Sequence, residues 1–110
     1  MTTKSADLRP VKSETLKLTK QVLRQEASAI MAIVSTINDN FFNVVELILQ
    51  SKGSVIVTGI GKPGYIARKL SATLMSTGTP AFYLHPAEAM HGDLGCITKD
   101  DTIIILSNSG

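Results

Sequence analysis

Cysteine is nearly absent from this chain: Cys96 stands alone among 110 residues. No internal disulfide can form, and a reducing, cytoplasmic setting is expected. Long apolar runs are missing too. The longest, from Ala29 to Val34, falls far short of the ~20 residues that span a bilayer. The stretch from Met1 to Gln21 holds no apolar core of the ~7–15 residues that a secretory signal needs. Neither membrane insertion nor export is therefore expected. Blocks of one charge sign are lacking as well: 11 Lys and Arg against 9 Asp and Glu leave a net +2, and the charges are scattered. That pattern carries no electrostatic footprint for nucleic acid. Internal repeats and low-complexity segments are also missing. What remains is 44% hydrophobic and 18% charged, a globular composition sized for about one small domain.

Residues 1–12 are polar, contain Pro10 and lack periodicity, so a flexible tail is expected there. Leu16, Leu23, Ile30 and Ile37 then recur every seven residues, with Ala27 and Val34 four places after two of them. This draws one apolar stripe along a helix of about 24 residues. The stripe exceeds what a small domain can cover, so both core packing and packing between copies of the chain remain open for it. Asn38, Asp39 and Asn40 are poor helix formers and good caps. A second apolar segment follows from Phe41 to Leu49 and ends at Ser51-Lys52-Gly53, where glycine suits a left-handed helix terminus.

The grammar changes after Gly53. Ser54 to Thr58 is a short β-branched run of the kind buried on both faces of a sheet. Gly59-Ile60-Gly61-Lys62-Pro63-Gly64 follows, then a helical pattern from Tyr65 to Ser76, a break at Thr77-Gly78-Thr79-Pro80, and a second strand from Ala81 to Leu84. A third strand is expected from Thr102 to Leu106. Strand, glycine turn, helix and strand make a βαβ unit, so the expected architecture is α/β with a parallel sheet.

Three segments carry chemistry. Gly59-x-Gly61-x-x-Gly64 matches a dinucleotide fingerprint formally, but His85-Pro86 occupies the place where an acid would hold the ribose. The turn still brings backbone N–H groups of a helix start close to a ligand, and Lys62 adds a full positive charge. A small phosphorylated ligand, a dinucleotide and a purely structural turn all stay open on these residues. Ser107-Asn108-Ser109-Gly110 leaves the third strand on the same carboxyl edge, where open α/β sheets bind ligands. Its two hydroxyls and amide suit a phosphate, and an ordinary strand-to-helix loop would also use them. Between these turns, His85 to Gly95 gathers both histidines, Glu88, Asp93 and two glycines. His85 and His91 are six residues apart and do not share one face of a regular helix, so a zinc pair would need an irregular loop. Imidazoles beside a phosphate anchor suit hydrogen bonding to sugar hydroxyls and proton movement, and a surface loop with incidental histidines stays open as well. Cys96 reads as a small buried hydrophobe.

Taken together, Gly59-Ile60-Gly61-Lys62, Ser76-Thr77-Gly78-Thr79-Pro80, the segment His85-Pro86-x-Glu88-Ala89-x-His91-Gly92-Asp93-Leu94-Gly95 and Ser107-Asn108-Ser109-Gly110 resemble the sugar isomerase (SIS) domain of arabinose-5-phosphate isomerases. The resemblance implies an N-terminal helical hairpin and the first half of a three-layer αβα domain over residues 13–110. The remaining strands, an acid–base set and tandem CBS modules are expected beyond Gly110. It further implies interconversion of D-ribulose 5-phosphate and D-arabinose 5-phosphate through an enediolate, which feeds the octulosonate sugar of lipopolysaccharide.

On that resemblance Lys62 and His91 are the catalytic residues. Gly61, Gly78, Thr79, His85, His91, Ser107 and Ser109 contact substrate. No cofactor is required, and His85 maps to a position where zinc binds in relatives as an inhibitor. The partners implied are a sugar phosphate and further copies of the chain, as a tetramer in the full-length family, with neither nucleic acid nor membrane. Two departures stand out: Pro63 replaces a serine of the usual turn, and Tyr65 and Ala67 stand where relatives tend to have histidine and glycine. Pro63 and the missing acid–base groups keep open a second reading, a non-catalytic sugar-phosphate-binding or regulatory SIS remnant.

Overall fold

The computed structural model describes residues 11–110. The chain divides into two compact units, residues 1–39 and 40–110. The first ten residues of the expected tail lie outside the described residues, and Lys12 already belongs to a helix. In the first unit that helix, α1 (Lys12–Ile33), runs for 22 residues and tightens into a 3-10 turn at Val34–Thr36. The seven-residue stripe therefore leaves the helix at its last member, because Ile37 is extended. No residue of α1 is buried.

The second unit holds α2 (Asp39–Gln50, whose first residue closes the preceding unit), β1 (Val55–Thr58), α3 (Lys62–Ser76), β2 (Ala81–Leu84), α4 (Pro86–Met90), a 3-10 turn at Asp93–Cys96 and β3 (Thr102–Ile105). The sheet is parallel, in the order β2-β1-β3. Its register aligns Thr58 with Leu84 and with Ile105, so all three strands end level. The α/β architecture with a parallel sheet is thus as expected. One correction concerns Gly53, whose backbone is not left-handed. Glycine is needed there for space instead: a Cβ would stand 2.3 Å from the Asp101 carboxylate and 2.8 Å from the Asp100 carbonyl.

Alternation along the strands sorts the side chains onto two faces. Val55 and Val57 point to one face, with Ala81, and pack with Ala67, Leu70 and Leu74 of α3. Ile48, Tyr83 and Ile104 complete that layer. Val55, Ile56 and Val57 are fully buried, which accounts for the unbroken β-branched run, since a central strand has no water-facing side. Each such burial contributes about 1.5–3 kcal/mol. The opposite face carries Ile56, Leu84, Ile103 and Ile105, and here Ile103 and Ile105 remain exposed.

The amino edge of the sheet is tied by one carboxylate. Asp101 accepts the N–H of Thr98 at 2.6 Å and of Ser54 at 2.7 Å, while Gly53 N–H donates to the Asp100 carbonyl at 2.8 Å. The bond from Thr98, then that from Ser54, holds the Asp101 carboxyl below its ordinary value of 3.8.

Candidate functional site

Because the strands end level, the segments that follow them meet along one edge. Gly59–Gly61 follow β1, His85 follows β2, and Leu106–Ser107 follow β3. Contacts between these segments are tight. A Cβ on Gly59 would stand 2.9 Å from the Leu106 carbonyl oxygen, and a Cβ on Gly64 would stand 2.7 Å from the Gly59 oxygen and 3.0 Å from the Tyr83 hydroxyl. Those two glycines are there for packing. Gly61 differs: it caps α3 with φ 67° and ψ −135°, a conformation that a side chain resists, and nothing lies within 4 Å of its Cβ position.

Lys62 opens α3 and Pro63 follows it in the first turn, where the N–H that proline lacks has no helical acceptor. Helix α3 starts three residues earlier than its apolar pattern suggests, since Lys62 to Gly64 contribute nothing to that pattern. Lys62 lines a cavity of about 780 Å³ with Ser107 and Asn108, so a cation and neutral donors converge there. Ser107 and Ser109 also border a second cavity of about 630 Å³. Its wall is largely apolar, built from residues such as Leu84, Met90, Leu94, Ile103 and Ile105. The serine turn is held in shape by Gly110 N–H, which donates to the Ser107 hydroxyl at 2.8 Å.

His85 and His91 cap opposite ends of α4. His85 Nδ1 accepts the Ala87 N–H at 3.0 Å, so the neutral ring carries its proton on Nε2, the nitrogen left for a ligand. The ring lines a third cavity, about 220 Å³, with Gly61, Gly64, Tyr65, Arg68 and Tyr83. His91 is exposed and lines none of these three cavities. Cys96 is exposed as well, against the expectation of a buried thiol; its 3-10 turn lies outside the core.

Zinc fits this arrangement poorly. A neutral ring whose Nδ1 is engaged as an acceptor has no lone pair on Nε2 to offer a metal. Among the described residues no group of three or more His, Cys, Asp or Glu side chains could hold an ion.

Gly78 and Thr79 stand apart from the other expected contacts. They precede β2, on the edge where Ala81 pairs with Val55, while His85 follows its far end. Six residue steps of extended chain take Thr79 to His85, roughly 20 Å. Within one chain, no single pentose phosphate reaches both ends.

Arg68 and Tyr83 carry no mark in the sequence. Arg68 lies on α3 six residues after Lys62, outside every motif. Tyr83 reads as a strand residue, yet its hydroxyl donates to the Gly59 carbonyl at 2.8 Å and its ring meets that of His85 edge-on, centroids 6.2 Å apart.

The SIS domain family model matches residues 47–110. The chain belongs to the SIS domain family. It is 53% identical over 85 residues to the arabinose 5-phosphate isomerase KdsD of Pseudomonas aeruginosa, covering 77% of this chain and 26% of that protein. Against the KdsD of Escherichia coli K12 the identity is 48% over 91 residues, covering 83% and 28%. The E. coli CFT073 protein c3406, solved in complex with arabinose 5-phosphate, superposes with a TM-score of 0.84 at 39% identity, covering 90% of this chain and 53% of that one. This SIS chain thus spans under a third of these curated relatives and about half of the solved one. Among the described residues no single helix is long and apolar enough to cross a membrane.

Proposed function

We propose that this SIS chain supplies the first part of an aldose–ketose isomerase that interconverts D-ribulose 5-phosphate and D-arabinose 5-phosphate in the cytoplasm, serving synthesis of the octulosonate sugar of lipopolysaccharide. The observation that carries this reading is the convergence of Lys62, His85 and Ser107 on one sheet edge, in a chain similar to a protein solved with arabinose 5-phosphate.

The reaction moves a proton between neighbouring carbons through an enediolate. It needs a fixed phosphate, a base and positive charge beside the developing oxyanion. Ser107, Asn108 and Ser109 offer neutral donors to the phosphate, each such bond to a charged acceptor contributing about 1.5–3 kcal/mol. Lys62 borders the same cavity, where its ammonium opposes negative charge on the sugar. His85 presents Nε2–H to sugar oxygens. His91, at the exposed end of α4, is assigned to proton transfer. No cofactor enters this scheme, and no step runs through zinc. The exposed apolar residues of α1 support assembly into a homo-oligomer, a tetramer in this reading.

Turnover of D-arabinose 5-phosphate by this chain extended as in its relatives tests the proposal, with Lys62→Ala as the control. Loss of about 100-fold or more in kcat is expected, as for removal of one oxyanion-stabilising group. Binding without turnover in the unmutated protein would overturn it in favour of the second reading, a non-catalytic sugar-phosphate-binding or regulatory domain. One observation favours that alternative: Pro63 removes a backbone N–H from the first turn of α3.

A further inference from the structure

The 220 Å³ cavity beside the glycine turn joins His85 to two side chains, Arg68 and Tyr65, that the proposed scheme leaves unused. Arg68 borders it with its guanidinium 4.4 Å from the centroid of the Tyr83 ring, and among the described residues no carboxylate pairs with that charge. Among those residues no acid borders the cavity either. The Tyr83 hydroxyl is spent on the Gly59 carbonyl and His85 Nδ1 on the Ala87 N–H. The side chains bordering the space are therefore rich in donors: the Arg68 guanidinium N–H groups, the His85 Nε2–H and the Tyr65 hydroxyl, which can also accept. A donor-rich, acceptor-poor space flanked by aromatic rings suits a ligand rich in oxygen lone pairs, with C–H edges to lay against the rings.

Gly61 borders this cavity and Lys62 borders the one shared with Ser107. Consecutive residues of the glycine turn thus border the two spaces. Lys62 and Arg68 are six residues apart on α3, about 9 Å along the helix axis and about 120° apart around it, so the two cations do not meet at one ligand group. With the phosphate on the Lys62 and Ser107 side, the geometry points to Arg68 as a substrate-contacting residue that binds the oxygens at the carbonyl end of the sugar, remote from the phosphate, and so sets selectivity for a polyhydroxy aldehyde or ketone chain over phosphate alone. This assignment rests on the sugar-phosphate reading above. Tyr83 acts as its positioning residue, holding the guanidinium over one face of its ring while the His85 ring meets it edge-on.

Calorimetric titration of this chain with D-arabinose 5-phosphate and, separately, with inorganic phosphate tests the assignment. Arg68 is exposed, so Arg68→Gln leaves the fold intact. It should weaken sugar-phosphate binding about tenfold, the loss of one charge-assisted hydrogen bond, and leave phosphate binding unchanged. Arg68→Lys, which keeps the charge and loses the planar fork, should fall between the two. Equal weakening of both ligands by Arg68→Gln, or no weakening of either, overturns the role of Arg68 while leaving the isomerase reading in place. Failure of the unmutated chain to bind D-arabinose 5-phosphate overturns the Arg68 assignment, while the isomerase reading answers to the turnover test of the extended chain.

Discussion

The hydroxyl of Tyr83, on the second strand, donates to the carbonyl of Gly59 across the end of the first strand at 2.8 Å. One phenol thereby fixes the entry to the glycine turn, and its ring simultaneously contacts His85 and Arg68. Removing that hydroxyl alone, by Tyr83→Phe, should cost about 0.5–1.5 kcal/mol. Because the ring stays, urea melts should show this modest loss. Titrations should show weaker sugar-phosphate binding, through a carbonyl and a turn no longer held. Full stability with full affinity would mean that the bond is incidental.

The glycines of the turn separate into two physical classes that substitution distinguishes. Gly64→Ala would drive a methyl against the Gly59 oxygen at 2.7 Å and the Tyr83 hydroxyl at 3.0 Å, an overpacking worth about 1–3 kcal/mol. Gly61→Ala meets no atoms, and its cost is backbone strain at positive φ, roughly 1–3 kcal/mol. The expected difference lies in D-alanine: placed by chemical synthesis at residue 61 it should restore stability, because a mirror-image residue favours positive φ, whereas at residue 64, inside the right-handed helix α3, the same preference should destabilise. Equal behaviour at both sites would refute the distinction.

Much of this architecture was legible in the residues, and the reasons differ by element. The β1 segment stood out because a strand buried on both faces must be apolar without interruption, and Val55 to Val57 has no water-facing position to blur the signal. Helix α1 showed in its stripe for the opposite reason: none of its residues is buried, so the pattern belongs to a surface that another element is expected to cover. The amino-terminal start of α3 was not legible, since Lys62, Pro63 and Gly64 are chosen for the turn rather than for the helix core. Gly53 misled because a glycine after a helix usually marks a left-handed end, while here the constraint comes from Asp100 and Asp101, far away along the chain. Arg68 and Tyr83 belong to the site only through contacts across the fold, which no local pattern announces. Gly78 and Thr79 are expected contacts through the resemblance alone, and β2 sets them at the opposite edge from His85.

Acid sensitivity follows from Asp101. Its carboxyl is held below 3.8 by N–H groups of Thr98 and Ser54, which come together as a pair only in the folded chain. A group whose folded value is depressed stabilises the fold above its unfolded value, and that contribution disappears as pH falls through the folded value. Asp101→Asn should therefore lower the urea midpoint at pH 7, and the gap between variant and parent should close as pH drops below 3.8, the ordinary value. A gap that stayed constant with pH would show that packing, not the carboxylate charge, carries the effect.

The stripe on α1 makes the strongest prediction about assembly. Leu23 is 62% exposed and Ile30 66% exposed, seven residues apart on one helical line, and a helix with so much apolar surface in water has little to hold it in place. Covering each side chain would contribute about 1.5–3 kcal/mol, enough in sum to drive association between copies. Leu23→Glu combined with Ile30→Glu should therefore reduce the mass measured by light scattering to a smaller assembly. Because neither side chain is buried within its own unit, the strands, α3 and the carboxyl edge of the sheet should be untouched, and circular dichroism should lose at most the signal of α1. An unchanged mass would assign the stripe to contacts within the chain, and loss of the sheet signal would show that the two units depend on each other for stability.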